Sequence, residues 1–284
     1  MAALAVSAGA CRRREPAAPP VATPQVVLSR ATAPLGSPID ITYRFVVASD
    51  AHFTQDYRVM LHVVDSDDEL MWTDDHNPPT PTTEWKPGQT IQYTRTVFIP
   101  VYPYVGDASL RIGLYSTADQ KRLPLSGQDD GQRAYTVAHL RLDPQTGNPP
   151  IVFKDGWHAA EVAEHNQAVQ WQWTKKDATI AFRNPRKDCV FYLDADNPGG
   201  VFHDTQQVQV SVAGGPVVDR FALAPKEQVL RKVRLTAAQL GTGSLVELHI
   251  VVDKTFVPAL LDAAVNKDPR ELGIRVFHAY VDAR

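Results

Sequence analysis

Cysteine is nearly absent: Cys11 and Cys189 are the only two in 284 residues. That excludes a disulfide-dense scaffold and a cysteine-based structural zinc site. A basic excess is also lacking, since 29 lysines and arginines face 32 acidic residues for a net charge of −3. With no surplus of cations to neutralise a phosphate backbone, nucleic acid is not an expected partner. No stretch reaches the ~18 consecutive apolar residues that a membrane-spanning helix requires. The chain also lacks a G-x-S-x-G elbow, a phosphate-binding or dinucleotide glycine loop, and the H-E-x-x-H or H-x-x-E-H order of zinc proteases. These absences predict neither an enzyme nor a cofactor. Glycine, at 16 residues, is outnumbered by 22 prolines, a balance that suits short strands broken by rigid turns better than long helices.

What is present is alternation. Ile39, Ile41, Tyr43, Phe45 and Val47 fall on one side of a period-two repeat, as do Tyr57, Val59, Leu61 and Val63, and then Leu110, Ile112 and Leu114. Corners such as Pro34 to Pro38 and Lys86 to Gly88 separate them. The pattern resumes in Val169 to Trp173, Ala178 to Phe182, Val208 to Val212 and Leu245 to Val252. The spacing predicts an all-β chain of two immunoglobulin-like β-sandwich domains in tandem, with short helical insertions at Thr236 to Leu240 and Asp268 to Leu272. Proline, glycine and asparagine concentrate between Leu142 and Pro150. The expected organisation is therefore an anchor and tether over 1–24, a first sandwich over 25–143, a linker over 144–156 and a second sandwich over 157–284.

The N-terminus reads as an address. Small apolar residues run from Met1 to Ala10 and end at Cys11, followed by Arg12 to Arg14 and a Pro/Ala-rich stretch. This resembles a bacterial lipoprotein signal, in which the cysteine after the cleavage point is acylated. The resemblance implies an extracytoplasmic protein, in the periplasm or at the cell surface, held to the membrane through lipid on Cys11 alone.

A second resemblance covers residues 57–125. The strand carrying His62, the acidic turn Asp65 to Glu69, the proline-rich loop before Trp85 to Gly88, and the strand ending in Gly113, Leu114 and Tyr115 together look familiar. The segment is similar to the extracytoplasmic β-sandwich module of dolichyl-phosphate-mannose-type membrane glycosyltransferases. The polytopic domain that carries transferase chemistry is not part of this sequence, so the resemblance implies a fold and a side of the membrane, not an activity.

Three polar constellations stand out. Asp65, Asp67 and Glu69 alternate oxygen ligands in a turn, as calcium sites do, but without the glycine and distant glutamate of an EF-hand loop. His158, Glu161 and His165 would share one face of a helix and could hold a metal. Trp72, Asp74, Asp75, His76 and Trp85 join flat aromatic surfaces to carboxylates in one loop region, the residue types that sugar binding uses. Trp171 and Trp173, two apart on a strand, share a face and suit packing.

From these features the expected function is that of a non-catalytic, extracytoplasmic, lipid-anchored accessory or structural protein docking onto an envelope or membrane complex. The alternative is a carbohydrate-binding module for envelope polysaccharide using the Trp72 to Trp85 region, and a glycan-active enzyme is third.

Overall fold

The structure is a computed structural model describing residues 18–145, 149–261 and 266–283. Cys11, the candidate acylation site, lies outside the described residues. The chain divides into two compact units, residues 1–144 and 145–284. No described helix is long and apolar enough to cross a membrane.

The first unit contains β1 (Ala22–Leu28), β2 (Thr32–Pro34), β3 (Pro38–Val47), β4 (Arg58–Val64), β5 (Leu70–Thr73), β6 (Thr90–Phe98), β7 (Gly106–Tyr115) and β8 (Tyr135–Asp143). They form a three-stranded sheet in the order β1-β3-β6 and a five-stranded sheet in the order β2-β8-β7-β4-β5. Strand β3 shows why. Ile39, Ile41, Tyr43, Phe45 and Val47 are each at most 2 % exposed, and all point the same way because strand side chains alternate. Facing them from the other sheet are Val59, Leu61, Val63, Leu110, Ile112 and Leu114, in the same apolar cluster. Each such side chain contributes about 1.5–3 kcal/mol on leaving water, which fixes the register: a slip by one residue would turn the whole set outward.

On the reverse face of β4, Met60 and Val64 are also buried, at 1 % and 5 % exposure. The cause is the long connection between β7 and β8, which doubles back over the sheet. Its Arg122 bridges to Tyr115, and Leu123 donates its amide hydrogen to the Leu114 carbonyl. Gly113 makes room for the return, because a Cβ there would stand 3.1 Å from both the Arg133 carbonyl oxygen and Met60 Cε.

The second unit contains β9 (Val152–Phe153), β10 (Glu161–Ala163), β11 (Asn166–Trp173), β12 (Asp177–Arg183), β13 (Cys189–Asp196), β14 (Gln206–Val212), β15 (Val217–Leu223), β16 (Gln228–Leu235), α1 (Ala237–Leu240), β17 (Leu245–Val252), α2 (Pro258–Leu261) and β18 (Arg275–Asp282). Its sheets run β15-β14-β17-β12-β9 and β10-β11-β18-β13-β16. Phe182, Phe191, Leu193, Val210, Leu248, Ile250 and Val281 fill the core between them. Cys189 is buried at the head of β13, and loss of solvent pushes its thiol up to about 11. Val152 and Phe153, inside the segment expected to be linker, pair with β12.

Several expectations are corrected. An immunoglobulin-like domain has four strands on one sheet and three to five on the other. The first unit instead has three and five, and the second has five and five. The tandem immunoglobulin-like reading gives way to the coarser one: an all-β chain of four multistranded sheets. Residues 268–272 form no helix. Asp268 accepts the Arg270 amide hydrogen and binds its guanidinium, closing a local turn, and Leu272 then pairs with Phe256. His158, Glu161 and His165 share no helical face either. Glu161 lies in β10 opposite Trp171, and the His158 ring bonds through Nε2 to the Glu271 carbonyl, 2.7 Å away. One helical turn does form at α1, where Thr236 Oγ1 accepts the Gln239 amide hydrogen, the Gln239 side chain accepts from the Thr236 amide, and Gly241 at φ 67° ends it.

Candidate functional site

The loop after β5 divides its polar residues between two sides of the sheet. Asp74 and His76 turn inward and are 8 % and 6 % exposed. Arg95 donates from Nε and Nη2 to the two Asp74 oxygens, each at 2.8 Å, and the Tyr43 hydroxyl adds a third hydrogen bond at 2.8 Å. His76 Nδ1 lies 2.7 Å from the Asp74 carbonyl oxygen and Nε2 lies 2.8 Å from the Tyr93 hydroxyl. Because a carbonyl only accepts, Nδ1 carries the proton and Nε2 accepts from Tyr93. Burial works to raise the Asp74 pKa, but the Arg95 hydrogen bonds and charge, then Tyr43 and His76, bring it below the usual carboxylate range. Burial lowers His76 and raises Tyr43 and Tyr93. Asp74, His76, Tyr43 and Tyr93 are spent on one another and on Arg95, whose side chain stays partly exposed, so this cluster is a clamp within the fold.

Trp85 is likewise interior. It is 3 % exposed, packs against Phe45 and Phe53, and donates its indole hydrogen to the Thr80 carbonyl. It therefore offers no free ring face to a sugar. Trp72, half-buried on β5, packs against the first core. Asp65 uses its Oδ1 to accept the amide hydrogens of Asp67 and Glu69, which accounts for the acidic turn without a cation. Among the described residues no group of three or more His, Cys, Asp or Glu is arranged to hold a metal ion.

Asp75 turns outward, and with it the site begins. Its Oδ1 accepts the Leu61 amide hydrogen at 3.1 Å and lies 3.8 Å from His62 Nε2. Beyond His62 the outer face of the five-stranded sheet and the returning β7–β8 connection enclose a recess of about 380 Å³. His62 and Arg111 rise from the strands, and Arg122, Asp130 and Gln132 come from the connection, with Asp68 at the hairpin. Val64, Leu70 and Ala134 supply its apolar part. Arg111 Nη2 binds Asp68, and Nη1 lies 3.5 Å from Asp130. Arg111 Nε is buried with no protein partner. Arg122 spends Nη1 on the Gln132 carbonyl, 3.0 Å away. Burial holds the His62 imidazole below the ordinary histidine value; Arg122 lowers it further, while Asp75 and Asp130 oppose. The ring is thus neutral near pH 7, with one nitrogen donating and one accepting.

Of the residues named in the sequence, His62 and Asp68 of the acidic hairpin line this recess, and Asp75 stands beside it through His62. Arg111, Arg122, Asp130 and Gln132 were missed. Arg111 carried a signal, a charge alternating with Leu110 and Ile112, but that alternation marks an outward face without saying what covers it.

No family model and no curated protein matches the chain. Among solved structures it is similar to the β-glucuronidase of Bacteroides uniformis (11 % identity, TM-score 0.29, covering 92 % of this chain and 30 % of that one). It is also similar to the exo-β-1,3-galactanase of Phanerochaete chrysosporium (9 %, 0.31, 92 % and 57 %), and to the mosquito-larvicidal Cry4Aa toxin of Bacillus thuringiensis (8 %, 0.29, 91 % and 52 %). The chain thus spans well under two thirds of each. Two of these are glycosidases, and none is a glycosyltransferase accessory module. Nothing among these comparisons supports the expected resemblance to such a module, which is withdrawn, as is the non-catalytic accessory role. TM-scores near 0.3 carry neither a fold assignment nor an activity across, so what the recess does follows from its own chemistry.

Proposed function

We propose that the chain recognises a neutral, hydroxyl-rich glycan in the recess of its first unit. The observation that supports this is a charge-balanced alternation of donors and acceptors: Arg111 and Arg122 against Asp68 and Asp130, with neutral His62 and the Gln132 amide between them. Two cations and two carboxylates cancel, so neither a phosphate nor a divalent cation is favoured over water. A sugar hydroxyl both donates and accepts, and adjacent hydroxyls can bond a guanidinium and a carboxylate at once. The buried, unpartnered Arg111 Nε gains from any acceptor that reaches it. Val64, Leu70 and Ala134 meet the apolar C–H edges of the ring. An extracytoplasmic location, supported by the N-terminal stretch ending at Cys11, is where such a ligand is met; palmitate labelling lost in Cys11→Ser checks it.

The test is a glycan array of neutral and acidic oligosaccharides, followed by titration of the best ligand. Arg111→Ala should weaken it at least about tenfold, about 1.4 kcal/mol, with an unchanged circular dichroism spectrum. A folded Arg111→Ala protein binding as wild type would remove the recess from consideration, and the absence of any neutral glycan ligand would end the proposal.

Glycoside cleavage is a second reading with one observation behind it. Asp68 and Asp130 both reach the Arg111 guanidinium, which places two carboxylates, the residue type that glycosidases use, at one recess; to serve as the acid, one of them must leave the guanidinium when substrate binds. Release of reducing ends from the bound oligosaccharide, lost in both Asp68→Asn and Asp130→Asn, is its signature.

A further inference from the structure

The second unit holds a recess of about 400 Å³ with a different chemistry. Its floor is aromatic: the Trp173 and Phe256 rings meet edge to face with centroids 5.7 Å apart. Phe256 is held there by a pair of backbone hydrogen bonds with Leu272, at 2.9 and 2.8 Å. The rim is ionic. Arg270 donates from Nη1 to Glu161 at 2.7 Å and from Nε and Nη2 to Asp268 at 3.0 and 2.7 Å. Glu161 belongs to β10 and Asp268 to the loop before β18, so one guanidinium fixes two distant segments around the opening. Asn266 also lines it and accepts the Asp268 amide hydrogen at 2.9 Å.

The charges lining this recess do not cancel. Glu161 and Asp268 are two carboxylates against the single guanidinium of Arg270, leaving one negative charge beside two aromatic rings. An anionic occupant would bring a third carboxylate to the rim, and a purely apolar one would cover the ion pairs without replacing the water they lose. A ring with an apolar C–H face and a cationic substituent satisfies both parts. Its face lies on the Phe256 ring, which the buried Trp173 backs edge to face, and its ammonium gains charge-assisted hydrogen bonds to the carboxylates. We infer that this recess binds an amine-bearing sugar ring, independently of the glycan site in the first unit.

Saturation-transfer NMR and titration of the full chain at pH 6 with D-glucosamine, N-acetylglucosamine and glucuronate decide it. Glucosamine should bind, N-acetylation should weaken binding at least about fivefold, and glucuronate should give no transfer. Phe256→Leu, which keeps apolar volume but removes the ring, should weaken glucosamine about tenfold, and Glu161→Gln about fivefold. Arg111→Ala in the first unit should leave it unchanged. No glucosamine binding, glucuronate binding as well as glucosamine, or binding that survives Phe256→Leu would each overturn the inference. If glucosamine binding is instead lost in Arg111→Ala, the first-unit site stands and this one falls.

Discussion

Arg95 on β6 grips both oxygens of Asp74 at 2.8 Å, and in doing so ties the three-stranded sheet of the first unit to the loop leaving the five-stranded one. The pair is partly wet, because the Arg95 side chain is 39 % exposed while Asp74 is 9 %. Its worth is accordingly below that of a fully buried bridge.

The pair makes the first unit sensitive to acid. The folded Asp74 carboxyl titrates below its ordinary value, so the unfolded chain takes up that proton more readily. The stabilisation is complete above roughly pH 5 and is lost as pH falls through the ordinary carboxylate range toward the folded pKa. Asp74→Asn should cost about 2 kcal/mol at pH 7 by urea unfolding, with a smaller further loss between pH 5 and 3 than wild type shows. An equal acid slope in both proteins would assign the sensitivity elsewhere.

His62 reports on the recess without a ligand. Burial and Arg122 depress its pKa, while Asp75 and Asp130 raise it. In a histidine-resolved NMR titration its midpoint should lie below the free value, move up in Arg122→Gln and move down in Asp130→Asn. Shifts of the same sign in both variants would mean that neither side chain faces the imidazole.

Gly156 and Gly88 separate two reasons for glycine. Both have positive φ, at 81° and 75°, but a Cβ on Gly156 would stand 1.9 Å from the Asp177 carbonyl oxygen, whereas one on Gly88 meets nothing within 4 Å. Gly88→Ala should therefore cost about 1 kcal/mol, the dihedral penalty alone. Gly156→Ala should cost at least about 3 kcal/mol, because backbone must move. Thermal melts of the two variants, compared side by side, check the contrast; equal losses would show that the dihedral alone decides both.

The strands were legible because their signal is local. Ile39, Ile41, Tyr43, Phe45 and Val47 spell an inward face in five alternating letters, and no distant residue changes that reading. How strands are shared among sheets was not legible, since the order β2-β8-β7-β4-β5 depends on pairings far apart in sequence. The candidate site failed for a related reason. Asp74, Asp75 and His76 are neighbours in sequence, yet Asp74 and His76 point into the fold and Asp75 out of it, so adjacency joined residues that the backbone separates. Arg111, Arg122 and Asp130 come together only because a connection folds back over a sheet face, which no periodicity encodes. Asp268 to Leu272 misled through a true local preference: aspartate followed by proline does open helices, but the Asp268–Arg270 ion pair and the pairing of Leu272 with Phe256 outweigh one helical turn.

The connection folded over the outer sheet also separates stability from selectivity. The strands contribute His62 and Arg111 from positions whose neighbours are locked in the core, while Arg122, Asp130 and Gln132 ride on a connection that Leu123 and Leu125 pin to that core. Substitutions along that strap that spare Leu123 and Leu125 can reshape what enters the cavity while the packed interior stays as it is. The scaffold is thereby open to acquiring new ligands by changing the polar positions of one connection, with the packed core left intact.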